Sequence, residues 1–125
     1  MPRIHATGKA AFSECYSLWK VKLSNNIEVI NQGTLAVSNI TSLVIPEGVT
    51  AIYPRAFSAC SNLDSIVIPK SVTFISVEVF LDCDDLKTIN FTGTKAEWNA
   101  IEKSESWDRR TPSYTIHCTD GDITK

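Results

Sequence analysis

The sequence has no excess of basic residues and no long apolar run. Its 125 residues carry 12 Lys and Arg against 14 Asp and Glu, a formal net charge of -2, whereas binding to a phosphate backbone depends on Lys and Arg contacts. No stretch approaches the roughly 18 apolar residues that a membrane-spanning helix requires. We therefore expect no nucleic-acid partner and no insertion into a membrane.

The first residues, MPRIHATGKAAFSEC, also lack the apolar run of about 7 to 15 residues that follows the basic start of a secretory signal peptide. We expect a cytoplasmic or phage-associated protein, or a cell-surface protein if an upstream signal has been removed. With 43% hydrophobic and 21% charged residues, the composition is typical of one soluble domain with one core. A single domain spanning residues 1–125 is predicted.

Four segments of the chain match one another, with apolar residues at their first, fourth and sixth positions. They begin at Leu18, Ile40, Leu63 and Leu86, so that successive starts are 22, 23 and 23 residues apart. A unit of this length cannot bury a core alone, and the period lies in the leucine-rich-repeat range. Neighbouring units are therefore expected to stack and to bury their apolar residues between them.

Two-residue alternation sorts the side chains of each strand. In the third unit, Ile66 and Ile68 are expected to point into the core, Ser65 and Val67 are expected to point outward, and Pro69 ends the strand. A second inward pair follows the proline in two units, formed by Val49 with Ile52 and by Val72 with Ile75.

A second set of positions has the same period. The phrases AFSECYSL, AFSACSNL and VFLDCDDL space their phenylalanines by 45 and 23 residues, as they do their cysteines: Phe12, Phe57 and Phe80, with Cys15, Cys60 and Cys83. Because the repeat period explains these cysteines, a row of buried thiols is expected rather than a metal site. The second unit, TLAVSNI, lacks this cysteine, and we expect about two extra residues before Ala36 and three missing after it.

Residues 52–74 resemble the unit of the BspA-like leucine-rich repeats, I-x-x-x-A-F-x-x-C-x-x-L-x-x-V-x-I-P-x-x-V. The resemblance covers residues 4–94 as repeats, and GTKAEWNAI followed by YTIHCTDG resembles the C-terminal end common in this family, giving a cap over residues 94–118. It implies a leucine-rich-repeat solenoid, mostly β with short turns and one C-terminal capping helix. It also implies a binding module, since these repeats occur in bacterial and protozoan surface proteins and in phage-associated reading frames.

The cap is also predicted from its own residues. Thr94 and Glu97 form the pattern of a capping box, which begins a helix. Trp98 and Ile101 should face the last repeat, as a cap rather than as a ligand pocket. Glu102, Lys103, Glu105 and Asp108 should remain in water. After Pro112, alternation places Tyr114, Ile116 and Cys118 on one face of a final strand.

No residue pattern indicates catalysis, a cofactor or a metal. His5 and His117 lie in the first unit and the last strand, at opposite ends of a stack, and no nucleophile is paired with a base. Asp82, Asp84 and Asp85 could bind calcium, but small polar residues at this position favour a solvated turn. We therefore expect neither an enzyme nor a cofactor-binding or metal-binding protein.

The outward residues of the stacked strands form a candidate surface for a protein partner. Its two columns are Lys20, Ser42, Ser65 and Thr88, and Lys22, Val44, Val67 and Asn90, with Trp19 at the basic end. An equally good explanation of these outward residues is that small β-branched side chains suit the strands of any solenoid, whether or not a partner binds there. The function predicted is a non-catalytic protein-binding module. The alternatives are a phage-encoded or host-encoded accessory protein, acting as a virion component or an occluding inhibitor, and a carbohydrate-binding or surface adhesion module.

The N-terminal end is a second candidate for association. The repeat register places Ile4 in the column of Ile27, Val49 and Val72, so that the chain starts partway through a unit. An uncovered strand edge at this end would pair with another chain. Self-association or partner binding through this edge is expected, unless polar residues solvate it or upstream repeats have been trimmed.

Overall fold

The computed structural model describes residues 3–4, 22–23, 25–36 and 38–125 and shows a solenoid of short strands. One six-residue helix lies near the C-terminal end of these residues. The elements are β1 (Arg3–Ile4), β2 (Lys22–Leu23), β3 (Val29–Ile30), β4 (Ser42–Val44), β5 (Ala51–Ile52), β6 (Ser65–Ile68), β7 (Phe74–Ile75), β8 (Thr88–Phe91), α1 (Lys95–Ala100), β9 (Glu102–Lys103), β10 (Thr115–Cys118) and β11 (Gly121–Thr124). In the described ranges, no helix has the length and apolar character needed to span a membrane.

Two sheets run along the solenoid. The first sheet has the strand order β11-β10-β8-β6-β4, and the second has the order β3-β5-β7-β9. Apart from β11, neighbouring strands are parallel, and residues of equivalent repeat position pair with each other, as Ser42 does with Ser65 and Ser65 with Thr88. The predicted stacking of 22- and 23-residue units is therefore confirmed.

The core lies between the two sheets. Ile66 and Ile68 of β6 are buried, whereas Ser65 and Val67 are half-buried on the outside. The second inward pairs are also buried, and they consist of Val49 with Ile52 and Val72 with Ile75. The predicted inward and outward positions are confirmed.

The second unit differs from its predicted alignment. The amide of Leu35 donates to Ala56 O, as that of Phe57 donates to Val79 O, so Leu35 occupies the phenylalanine position. The Ser38 hydroxyl lies 3.5 Å from the Cys60 thiol and occupies the cysteine position. The expected insertion before Ala36 was wrong: the buried Leu and Ser replace Phe and Cys without disturbing the stack.

The predicted capping box is confirmed at the start of α1. The Glu97 amide donates to Thr94 Oγ1 at 3.1 Å, and the Thr94 amide donates to Glu97 Oε1 at 3.0 Å. The bond from the Thr94 backbone holds the pKa of Glu97 below its usual value. Trp98 and Ile101 are buried, as expected of a cap.

The helix is shorter than the sequence pattern suggested. It ends at Ala100, and Glu102–Lys103 forms β9, parallel to β7. The expectation that Lys103 stays in water was wrong, because β9 turns this side chain inward beneath the cap. Its ammonium donates to Trp98 O at 2.8 Å and Ile101 O at 3.1 Å, and burial lowers its pKa.

Aromatic rings join the last repeat to the cap. Phe80 stacks on Phe57 with ring centroids 5.7 Å apart, and it meets the edge of Trp107 at 6.2 Å. Trp107 in turn lies 5.7 Å from Trp98 and 5.8 Å from Tyr114. These five rings are buried, which makes them part of the core.

The final strand β10 is as predicted, but the strand after it was not expected. Tyr114 and Ile116 are buried and Cys118 is half-buried on the same side of β10. Gly121–Thr124 then turns back as β11, antiparallel to β10. The first sheet therefore ends in a hairpin.

Cys60 and Cys83 are buried thiols on adjacent layers, as predicted, while Cys15 lies outside the described residues. Their Sγ atoms donate to Leu35 O at 3.0 Å and Phe57 O at 3.1 Å. The neighbouring Cys60 thiol, together with burial, raises the pKa of Cys83.

A thiol reagent should therefore modify the half-buried Cys118 in the native protein and reach Cys60 and Cys83 only after denaturant is added. Burial blocks access to both core thiols, whereas the half-buried Cys118 is partly open to solvent. Mass spectrometry of the labelled peptides measures each site. Rapid labelling of Cys60 or Cys83 without denaturant would contradict the buried-thiol interpretation.

Candidate protein-binding face

The outward side chains of the first sheet form two straight columns, which we call the first outer face. Strand register aligns the members of each column, giving Ser42, Ser65, Thr88 and Thr115 in one, and Val44, Val67, Asn90 and His117 in the other. The face is flat because every position in a column comes from the same place in successive parallel strands. Six of the predicted site residues are therefore brought together on one surface.

Exposure is uneven along this face. Among the residues that the structure describes, Val44 is the most exposed large apolar side chain, at 62%, and Ser42 beside it is also exposed. Ser65, Val67, Thr88 and Asn90 are half-buried because strands flank them on both sides. Val44 and Val67 therefore form an apolar patch at the β4 end of the sheet, beside short hydroxyl and amide groups.

The predicted basic end of the face stays a prediction. Trp19 and Lys20 lie outside the described residues, and only the backbone of Lys22 is described, in β2. The assignment of Ile4 to the column of Val49 was wrong, because β1 pairs with β2 and puts Ile4 opposite Leu23. The backbone groups of β2 are therefore paired with those of β1. The spacing of residues in the sequence does not specify which strand pairs with β2.

The other end of the first outer face carries a hydrogen-bonded histidine and aspartate. The Nδ1 atom of His117 lies 2.8 Å from Asp122 Oδ1, and both side chains are exposed. Exposed Asp64 and Lys87 lie on the strand approaches. The face therefore carries exposed charges of both signs on the approaches to its strands.

The second sheet also has an outer face, which the sequence analysis did not consider. Val29, Ala51, Phe74 and Glu102 align there by register. Phe74 is half-buried, and Tyr53, two residues beyond Ala51, is 38% exposed. Strict two-residue alternation does not mark this face in the sequence, because the buried pairs beneath it, Val49 with Ile52 and Val72 with Ile75, are three residues apart.

A charged cluster lies on the turns between the repeats. The Arg55 Nε donates to Glu78 Oε1 at 2.8 Å, and Arg109 Nη1 lies 3.2 Å from Glu78 Oε2. The hydrogen bond from Arg55 is the main cause of the lowered pKa of Glu78. Two guanidinium groups share one carboxylate, so the cluster keeps a net charge of +1 while it links separate turns, which is consistent with a structural role.

One shallow cleft of about 200 Å³ lies between α1 and the turn after β6, with Lys70 and Glu97 at its rim. No group of three His, Cys, Asp or Glu residues is arranged there or elsewhere in the described ranges to hold a metal. His5 lies outside these ranges, so the predicted separation of the two histidines stays a prediction.

Stacked parallel strands with recurring buried apolar residues in each layer define a leucine-rich-repeat solenoid. Residues 2–105 match the model of the BspA-type leucine-rich repeat region, in six copies. The chain belongs to this family. Six copies exceed the four segments that the apolar spacing identified.

A solved structure with the same fold is that of a leucine-rich cell surface protein from Faecalibacterium prausnitzii A2-165. The two share 32% sequence identity over 82% of this chain, with a TM-score of 0.75. This chain spans 29% of the length of that chain. No curated protein matches the sequence.

Proposed function

We propose that the protein is a non-catalytic protein-binding module and that the first outer face holds its partner. The observation that supports this most is the register of the face, which puts the exposed Val44 beside Val67 and next to a column of hydroxyl groups. An apolar centre with a polar surround is the usual anatomy of a protein interface. The family and the fold favour the same class of function.

The stiffness of the face favours this use. Ser, Thr and Val side chains lose little rotamer freedom when a partner covers them, and the stacked strands fix their backbone. The partner would therefore meet a preformed surface. We propose that the face has a basic extension formed by Lys20 and Lys22, which continue the two columns in sequence, with Trp19 beside them.

A photo-reactive residue placed at Val44 should cross-link a partner protein, and the same residue at Thr73 on the second sheet should not. With the partner purified, Val44→Arg should weaken binding at least tenfold, because the charge is forced into an apolar contact. Thr73→Arg is the matched control. Both positions are exposed, so each variant should keep its stability within about 0.5 kcal/mol. Equal affinity of Val44→Arg and wild type would contradict the proposal.

A second candidate function is carbohydrate binding at a cell surface. Exposed Tyr53 and half-buried Phe74 lie on the outer face of the second sheet, and aromatic rings on a flat sheet suit the apolar face of a sugar ring. The similar solved structure is of a cell surface protein. Glycan binding that is retained in Val44→Arg and lost in Tyr53→Ala would favour this candidate over the first.

A further inference from the structure

Exposed apolar and basic side chains meet where β5 and β7 of the second sheet run into their turns. Of the three large apolar side chains that are exposed in the described part of the chain, two lie here: Tyr53, at 38%, and Val77, at 37%. Arg55 lies beside Val77 in the neighbouring layer, because its amide donates to Val77 O at 3.1 Å. It also follows Tyr53 by two residues, which keeps the two Cα atoms within about 7 Å of each other. We call this region, together with Glu78 and Arg109, the second-sheet corner.

The Glu78 carboxylate is the buried centre of this corner. Its side chain is 12% exposed, whereas those of Arg55 and Arg109 are each 59% exposed. The Nε and Nη2 atoms of Arg55 both lie 2.8 Å from Glu78 Oε1, and Arg109 Nη1 lies 3.2 Å from Glu78 Oε2. A molecule that approaches from solvent therefore meets two guanidinium groups before it meets the carboxylate.

Both guanidinium groups keep hydrogen-bond donors for a ligand. A guanidinium has more N–H groups than the bonds to Glu78 use, and those bonds leave out Nη1 of Arg55 and Nε and Nη2 of Arg109. Because Glu78 orients both side chains, less of their rotamer freedom remains to be lost when a ligand binds. Carboxylates are preferred partners of guanidinium N–H groups, since the hydrogen bonds are charge-assisted.

The other charges near the corner make the attraction of an anion local. Arg110 Nη1 lies 3.8 Å from Asp82 Oδ2, and these two charges compensate each other. Exposed Glu105 borders the corner on the side of the cap, since it precedes Ser106, whose carbonyl accepts from the Glu78 amide at 3.0 Å. Salt screens charges that are farther apart than about 8 Å at physiological ionic strength. An anion is therefore held by direct contact with the guanidinium groups rather than by the summed charge of the region.

We infer that the second-sheet corner binds an acidic carbohydrate, with the sugar ring on Tyr53 and Val77 and its carboxylate on Arg55 and Arg109. The assignment rests on carbohydrate binding, the second candidate function, and narrows the ligand to a sugar that carries a carboxylate, a uronic acid. An exposed tyrosine ring offers an apolar surface to the C–H face of a sugar. A uronic acid has that face and a carboxylate on one ring, which matches the placement of Arg55 two residues after Tyr53.

Polygalacturonate, an unbranched chain of uronic acids, and its fully methyl-esterified form test the inference on the unsubstituted protein. Esterification removes the charge and keeps the sugar rings. Isothermal titration calorimetry should show that the ester binds at least tenfold more weakly, because it cannot accept charge-assisted hydrogen bonds. The protein's own formal charge of -2 gives no general attraction to a polyanion.

Arg109→Gln tests the guanidinium groups, because it leaves both contacts of Arg55 with Glu78 in place. This variant should bind the acid polymer about as weakly as wild type binds the ester. Lys70→Gln is the matched control, since it removes one exposed positive charge before β7, whereas the corner follows β7. It should leave the affinity unchanged. Tyr53→Ala should weaken the binding of both polymers.

Equal affinity of wild type for the acid polymer and the ester, lost in Tyr53→Ala, would overturn the acidic class and leave carbohydrate binding in place. Binding of neither polymer would overturn both. Poly-L-glutamate carries carboxylates without a sugar ring, and if it bound as tightly as polygalacturonate, the corner would hold an acidic protein segment and the inference would be wrong. Equal losses in Lys70→Gln and Arg109→Gln would reduce the effect to net charge and would also contradict it.

Discussion

Phe80→Ala is expected to lower the free energy of unfolding by about 3–5 kcal/mol. The Phe80 side chain is fully buried and lies between the ring of Phe57, at 5.7 Å, and that of Trp107, at 6.2 Å. Its removal leaves a cavity between the last repeats and the cap. Since each layer of a solenoid is stabilised mainly by its neighbours, no other part of the core can fill this space.

Phe74→Ala is the matched control for this change. Phe74 is half-buried on the outer face of the second sheet, so the same truncation should cost less than about 2 kcal/mol. Denaturant unfolding followed by circular dichroism measures both variants. Equal losses from the two substitutions would show that Phe80 is not the link between repeats and cap.

The repeat architecture could be predicted because two physical signals agree in this chain. The apolar spacing starting at Leu63 specifies which side chains enter the core, and the proline at Pro69 specifies where the strand ends. Both recur with the same period. Stacking then follows, since one unit has too few residues to bury its own apolar side.

The second unit shows where residue identity misled the alignment. Ala36 matches the alanine of the AF phrase by name, but Leu35 and Ser38 fill the space of Phe and Cys by volume and polarity. A core position selects for size and for the absence of unpaired polar groups. A comparison based on identical letters cannot detect such a replacement.

The cap was predicted only in part, because local propensity and tertiary pairing disagree there. Glu102 and Lys103 suit an exposed helix, yet the edge of β7 offers backbone partners, and the Glu102 amide donates to Thr73 O at 3.0 Å. Backbone hydrogen bonds to the existing edge of β7 stabilise this segment more than one further turn of a short helix would. The pattern around β11 is also too short and polar to indicate a strand, since its partner β10 provides the stabilisation.

The residues of the first outer face could be predicted from the sequence more completely than the partner that binds there. Alternation alone placed Val44 and Val67 outward, and register then aligned them. The aromatic residues of the second sheet were missed because Ala51 and Thr50 show no alternation of apolar and polar character. Which surface a partner covers depends on the partner's own chemistry, which no pattern within this chain contains.

Ile68→Ala is expected to lower the free energy of unfolding by about 2–5 kcal/mol, and Ile66→Ala by a similar amount. Ile68 is fully buried and lies opposite Phe91 of the next strand. Ser65→Ala, on the outer side of the same strand, should change stability by no more than about 0.5 kcal/mol. All three substituted residues lie in β6, so the variants do not differ in which strands pair. A difference in stability between them therefore comes from the side chain that was removed. Equal unfolding midpoints for all three would contradict the assignment of inward and outward side chains, and with it the surface on which the proposed partner binds.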